Sequence, residues 1–116
     1  MKPTSVDVVN AVMAKPNAIG YSGIGYLRPG VRALPLATHA DAPFVEATSE
    51  NARNGRYPRT RFLYLYVNKA PGKPLPPLER EFLRFVLSES GQAIVGNDGF
   101  IPLVAEHLHA ELAKLD

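Results

Sequence analysis

Apolar residues recur in this chain first at helical spacing, then at every position of one short run, then at helical spacing again. Val8, Val9, Val12 and Met13 predict a helix over residues 5–15. Thr4 stands three residues before Asp7, the spacing of a capping box, and Pro16 stops the helix. Ala18–Tyr21 has the apolar and aromatic character of a short strand, and Gly20, Gly23 and Gly25 let the following bend turn tightly or approach another surface. After the Pro29–Gly30 turn, Val31–Ala37 reads as a second strand, placed at an edge or bulge by Pro35. Residues 38–43 read as loop, and Glu46–Asn54 as a short helix capped by Gly55.

Phe62–Val67 is apolar or aromatic at all positions rather than alternate ones, which predicts a strand covered on both faces, its side chains forming the core. Asn68–Pro77 carries four prolines and two lysines and predicts an extended connection. Leu78, Phe82, Phe85 and Val86 then mark a helix whose apolar face is expected to dock on the sheet. Ser88-Glu89-Ser90 breaks and recaps it, residues 91–96 form a short helical turn, and Gly99 closes the unit. From Ile101 to Leu115, Val104, Leu108, Leu112 and Leu115 lie along one stripe of a terminal amphipathic helix. Strands set between helices predict an α/β class, and no repeat or heptad is present.

The 116 residues suffice for a single core. An apolar share of 46% and a charged share of 21% are those of an ordinary globular protein rather than a disordered or membrane one. A net charge of +2 implies no bulk affinity for nucleic acid. Arg53, Arg56, Arg59 and Arg61 crowd together, either as solvated side chains around a turn or as a local anion-attracting patch. The absence of cysteine excludes disulfides and thiolate chemistry. Met1–Ser5 leads into the first helix without the apolar run of a signal peptide, so the chain as written is not expected to be exported.

Chemical motifs are sparse. The glycines of Gly20-Tyr-Ser-Gly23-Ile-Gly25 fall in the reverse order of a dinucleotide loop, and no helix follows to aim amides at a pyrophosphate. Ser22 fails as a nucleophile elbow because Ile24 stands where the second glycine belongs. His107 and Glu111, four apart on a helix, could share a face for a metal, but such a site needs three or four ligands, and a solvated surface is the default. No nucleophile–base pair can be read, so no enzyme is expected. Tyr21 and Tyr26 flank the glycine bend, where they either line a cleft or pack in the core.

Three stretches carry a family resemblance. Pro16-Asn17-Ala18-Ile19-Gly20-Tyr21 fits a P-x-A-I-G-Y strand, Tyr57-Pro58-Arg59-Thr60-Arg61 leading into Phe62–Val67 fits a Y-P-x-x-R strand, and Phe85–Leu103 fits F-x-x-S-x-x-G-Q-x-I-V followed by G-F-x-P-L. Over roughly residues 5–103 the chain resembles the C-terminal part of the phosphate-binding proteins that serve Pst-type ABC transporters. The resemblance implies an α/β, type II periplasmic-binding-protein-like fragment with mixed-sheet strands flanked by helices. It assigns residues 1–56 to part of the second lobe, and residues 57–116 to the hinge strand and the C-terminal part of the first.

The implied ligand is inorganic phosphate or a similar oxyanion, the implied partner an ABC permease, and the implied location the periplasm. No cofactor, metal or nucleic acid is implied. In that family the anion is gripped mainly by S-G-T-type loops upstream of this region, so the chain is expected to hold only a minor part of the site. Tyr57, Thr60 and Arg61 fall beside the cleft at the hinge, and Tyr21 and Ser22 at the glycine bend. Arg61 either orders the hinge or contacts the anion, since a guanidinium fork matches a tetrahedral oxyanion at two points. A strand without its sheet neighbours exposes its edges. The chain is therefore expected either to form homo-oligomers or to need a missing N-terminal portion, with a self-associating or partner-binding remnant as the alternative function.

Overall fold

Thr4 opens the first helix as its spacing predicts. Its Oγ1 accepts the Asp7 amide at 3.2 Å and donates to the Asp7 carboxylate at 2.6 Å, which satisfies an amide that the helix leaves unpaired. The computed structural model describes residues 4–115, and helix α1 spans Ser5–Met13. Met1–Pro3, which enter the export expectation, lie outside the described residues. Val9 is the buried residue of α1. Val8 and Val12 press on Gly20, where a Cβ would stand 2.8 Å from each, so glycine there lets the returning chain lie against the helix.

The strands behave differently. Ala18–Tyr21 forms no ladder, and the glycine bend instead holds a 3-10 turn at Ile24–Tyr26 that packs on α1. In Val31–Ala37 pairing is confined to one antiparallel bridge, with Leu36 and Val45 exchanging both amide bonds at 3.0 and 2.8 Å. Helix α2, Ser49–Arg53, is capped by the Thr48 hydroxyl on the Asn51 amide at 3.1 Å, and Gly55 adopts the positive φ of +70° expected just past a helix end. It is shorter than the Glu46–Asn54 read from the sequence.

No strand forms at Phe62–Val67, and its side chains do not make a core: Leu63 is 69% exposed and Tyr66 91%. A strand is stabilised by neighbours on its edges and faces; none of the described residues pairs with the edges of this one, and the His107 ring against Phe62 covers only its start. The mixed sheet implied by the resemblance therefore has no counterpart among the described residues.

Three C-terminal helices form near the predicted positions, but with other bounds: Pro77 belongs to the helix rather than to the extended connection, the short turn at 91–96 is a full helix, and the terminal helix is shorter than Ile101–Leu115. Pro77 starts α3, Pro77–Val86, at the first helical position, where a missing N–H costs nothing. The Ser88 hydroxyl donates to Phe85 O at 2.6 Å and accepts the Gly91 amide at 3.1 Å, which closes α3 and opens α4, Glu89–Asn97. Gly91 permits the tight joint, because a Cβ there would lie 2.7 Å from Val86 O. The last helix, α5, spans Ala105–Leu112. Replacing Ser88 with alanine removes both bonds and should cost about 1 kcal/mol of stability, read as a lower urea midpoint at unchanged slope.

Leu75, Leu83 and Leu115 form the buried cluster, with Leu87 and Leu112 packed against it. The apolar face of α3 does not dock as expected: Leu78 is 83% exposed and Phe82 58%, because the sheet that would receive them is not built. Among the described residues no helix is long and apolar enough to cross a membrane. The chain exposes 9353 Å², against roughly 6,200 Å² for a compact protein of its mass. Its radius of gyration is 17.8 Å, against about 13 Å for a compact domain of its length. Many large apolar side chains that the sequence patterns for burial are exposed, Ile19, Phe44 and Tyr66 among them.

Candidate functional site

The turn at residues 57–59 gathers part of the predicted site. Tyr57 donates its amide to Asn51 O at 3.0 Å and its hydroxyl to Leu34 O at 3.1 Å. Asn51 in turn donates its side-chain amide to Glu46 O at 3.0 Å. Tyr57 thus clasps α2 to the Leu36–Val45 bridge, and its hydroxyl proton is committed to the backbone rather than to a ligand. Thr60 donates its hydroxyl to Tyr57 O at 3.2 Å, so these two predicted residues are joined.

Arg61 follows in the exposed run and makes no hydrogen bond or ion pair among the described residues. Arg53, Arg56 and Arg59 are exposed as well, the arrangement expected of solvated side chains around a turn. At the glycine bend Tyr21 is 73% exposed and Tyr26 45%, so neither packs in the core. The Ser22 Oγ is shielded from solvent yet has no hydrogen-bond partner among the described residues. A buried hydroxyl without a partner is unfavourable and marks a place where a polar group is wanted. No hydrogen bond or ion pair joins the Tyr21–Ser22 bend to the Tyr57–Arg61 turn.

Two open grooves among the described residues lie away from this site. One, of about 410 Å³, is lined by Arg84, Leu87, Ser88, Leu112 and Ala113; the other, of about 300 Å³, by Lys69, Gly72, Lys73 and Pro74. The His107–Glu111 pair is engaged elsewhere. Glu111 takes Lys114 Nζ at 2.6 Å, and the His107 ring stands edge-on to Phe62 with centroids 5.1 Å apart. Among the described residues no group of three potential metal ligands is gathered.

The sequence reading gave no role to Gln92, and it gave Gly25 a close approach without its partner. Gln92, 8% exposed, donates Nε2 to Val86 O at 2.9 Å and accepts the Leu103 amide on Oε1 at 2.8 Å. It thereby ties the end of α3 to the approach of α5. Gly25 meets Gly99 backbone to backbone: a Cβ on Gly25 would lie 2.9 Å from Gly99 Cα. Gln92 and Gly99 stand within the Phe85–Leu103 motif, so a signal for them was present in the sequence, but nothing local pairs Gly25 with Gly99.

No protein-family model matches the chain. It is similar to the phosphate-binding protein PstS of Pseudomonas aeruginosa, with 54% identity over 114 residues, covering 98% of this chain and 35% of that protein. It is also similar to the phosphate-binding protein PstS 2 of Streptococcus agalactiae, at 31% identity over 100 residues, 86% of this chain and 31% of the relative. The phosphate-binding protein PstS 2 of Streptococcus pneumoniae gives 31% over 99 residues, 85% and 31%. The chain spans about a third of the length of the curated relatives it matches.

Proposed function

We infer a function from the premise that this chain belongs to the PstS-type phosphate-binding proteins and corresponds to their C-terminal portion. On this reading it contributes to the capture of inorganic phosphate or a similar oxyanion for an ABC permease, on the outer side of the cytoplasmic membrane. The observation that carries it is the 54% identity extending over 98% of the chain. The relatives are named as binding proteins, which accords with a role other than catalysis.

Residues 1–56 belong, in this proposal, to one lobe of a hinged clamp, and residues 57–116 to the hinge and the return to the other lobe. Closure of two lobes over a ligand is a common motion of such proteins. Arg61 and Thr60 stand at the hinge. Tyr57 orients that turn through its bonds to Leu34 and Asn51, and Tyr21 and Ser22 face the cleft from the glycine bend. The unpaired Ser22 hydroxyl supports its place there. Desolvating an oxyanion requires a full set of donors, and these five residues do not converge among the described residues. The 116-residue chain alone is therefore expected to bind weakly or not at all.

A second reading, a partner-binding remnant with no anion role, is favoured by the exposure of Phe62–Val67. Calorimetric titration with phosphate, sulfate and molybdate separates the two. Joined to the N-terminal portion of the Pseudomonas relative, the chain should give saturable heats with phosphate, and by itself flat heats. Flat heats from both would overturn the transport reading.

A further inference from the structure

Gly25 and Gly99 meet with nothing but backbone between them. A Cβ on Gly25 would stand 2.9 Å from Gly99 Cα, and one on Gly99 3.1 Å from Gly25 Cα. Each side of this contact is held by its own part of the chain. The bend that carries Gly25 packs its 3-10 turn on α1 and lays Gly20 against Val8 and Val12. Gly99 donates its amide to Gly96 O at 3.1 Å and Phe100 donates to Val95 O at 3.1 Å, which fixes the loop to α4. No hydrogen bond among the described residues joins the two sides. A second junction between residues 1–56 and 57–116 is of the opposite kind: Tyr57 is bonded through its amide to Asn51 O and through its hydroxyl to Leu34 O.

We propose that the Gly25–Gly99 contact is the stop at which the two lobes of the proposed clamp come to rest on closing, with Tyr57 at the pivot. The inference rests on the two-lobed reading above and adds to it a residue pair that sets the bound arrangement. Lobes that part about a pivot lose the contacts they make elsewhere, so a contact outside the pivot belongs to the closed arrangement. Surfaces that touch without hydrogen bonds part easily, because each dispersion contact is weak. Bare backbone lets them approach fully, whereas a single methyl group would hold them apart, since close-packed surfaces do not absorb added volume. Tyr21 and Ser22 lie on the same bend as Gly25, so the closed position of that bend is also theirs. Gly25 is on this account a positioning residue. It acts through Ser22, whose shielded hydroxyl has no partner among the described residues.

The test uses the chain joined to the N-terminal portion of the Pseudomonas relative, titrated with phosphate by calorimetry and followed by small-angle scattering. Gly25→Ala should require about tenfold more phosphate for saturation, since its binding-competent state is less populated. It should be more expanded than the unchanged fusion at equal, subsaturating phosphate and equally compact at saturation. Ser88→Ala, which weakens the joint between α3 and α4, should lower the urea midpoint and leave the affinity unchanged. In the unchanged fusion, amides of residues 23–27 and 97–100 should exchange more slowly once phosphate is bound, a readout that needs no variant to fold. Saturable heats from the unchanged fusion, with the same affinity in Gly25→Ala, would overturn the stop and leave the transport reading standing. So would an equal loss of affinity in Ser88→Ala, expansion that saturating phosphate does not reverse, or unaltered exchange at both glycine segments. Flat heats from the unchanged fusion would overturn the stop together with the reading it rests on.

Discussion

Replacing Gln92 with leucine should lower the unfolding free energy by about 2–5 kcal/mol, because two backbone groups lose their partners at once. Only one orientation of the side-chain amide pairs donor with acceptor at both ends, with Nε2 toward Val86 O and Oε1 toward the Leu103 amide. Leucine fills the same space and satisfies neither. The result would appear as a shifted denaturant midpoint at constant slope, and a change below half a kcal/mol would show that the bridge does not hold α5 in place. Gln92→Glu is the sharper probe. Its carboxylate still accepts from Leu103 but turns a negative oxygen toward Val86 O, among the electronegative carbonyls at the end of α3. A neutral carboxyl can again donate to Val86 O. The folded state thus holds the proton more tightly than the unfolded chain, and the variant's deficit should be largest near neutrality and shrink as the pH falls through the carboxyl range.

The second large effect is expected at Gly25. An added Cβ would crowd Gly99 Cα and its carbonyl carbon, both 2.9 Å away. Gly99 cannot readily give way, because it sits at φ +84° and donates its amide to Gly96 O at 3.1 Å. Overpacking of this kind costs roughly 1–3 kcal/mol for alanine, and valine should cost more. The two glycines stand at opposite ends of the sequence, so the strain parts the N-terminal bend from the α4–α5 loop rather than melting either. Hydrogen exchange should show faster exchange at both junctions with α1 and α3 protected as before. Wild-type protection at Gly25→Val would mean that the two backbones do not pack there.

What could be read from the sequence follows the range of the forces involved. Thr4 with Asp7, Thr48 before α2, Pro77 at the start of α3 and Ser88 between α3 and α4 act on atoms within a few residues, and these helices stand close to where the sequence puts them. The predicted strands depend on neighbours far away in sequence or absent from this third of a relative's length. Val31–Ala37 pairs only through Leu36, and Phe62–Val67 not at all. The apolar face of α3 shares that fate, since its register is right and its receiving surface missing. The same reasoning applies to the site. Tyr57 and Thr60 are joined because they are neighbours in a turn, whereas bringing Tyr21 and Ser22 to Arg61 requires long-range assembly.

The uncovered basic turn has one more consequence. Arg56, Arg59 and Arg61 stand in exposed chain just after α2, beside a ribbon that makes no backbone pairing among the described residues. Cleavage by trypsin-like proteases needs only a few residues of accessible, extended chain after a cation, and here it is available without any unfolding. How long the polypeptide survives in a cell would then be set by how soon something covers this stretch, not by the strength of its helices.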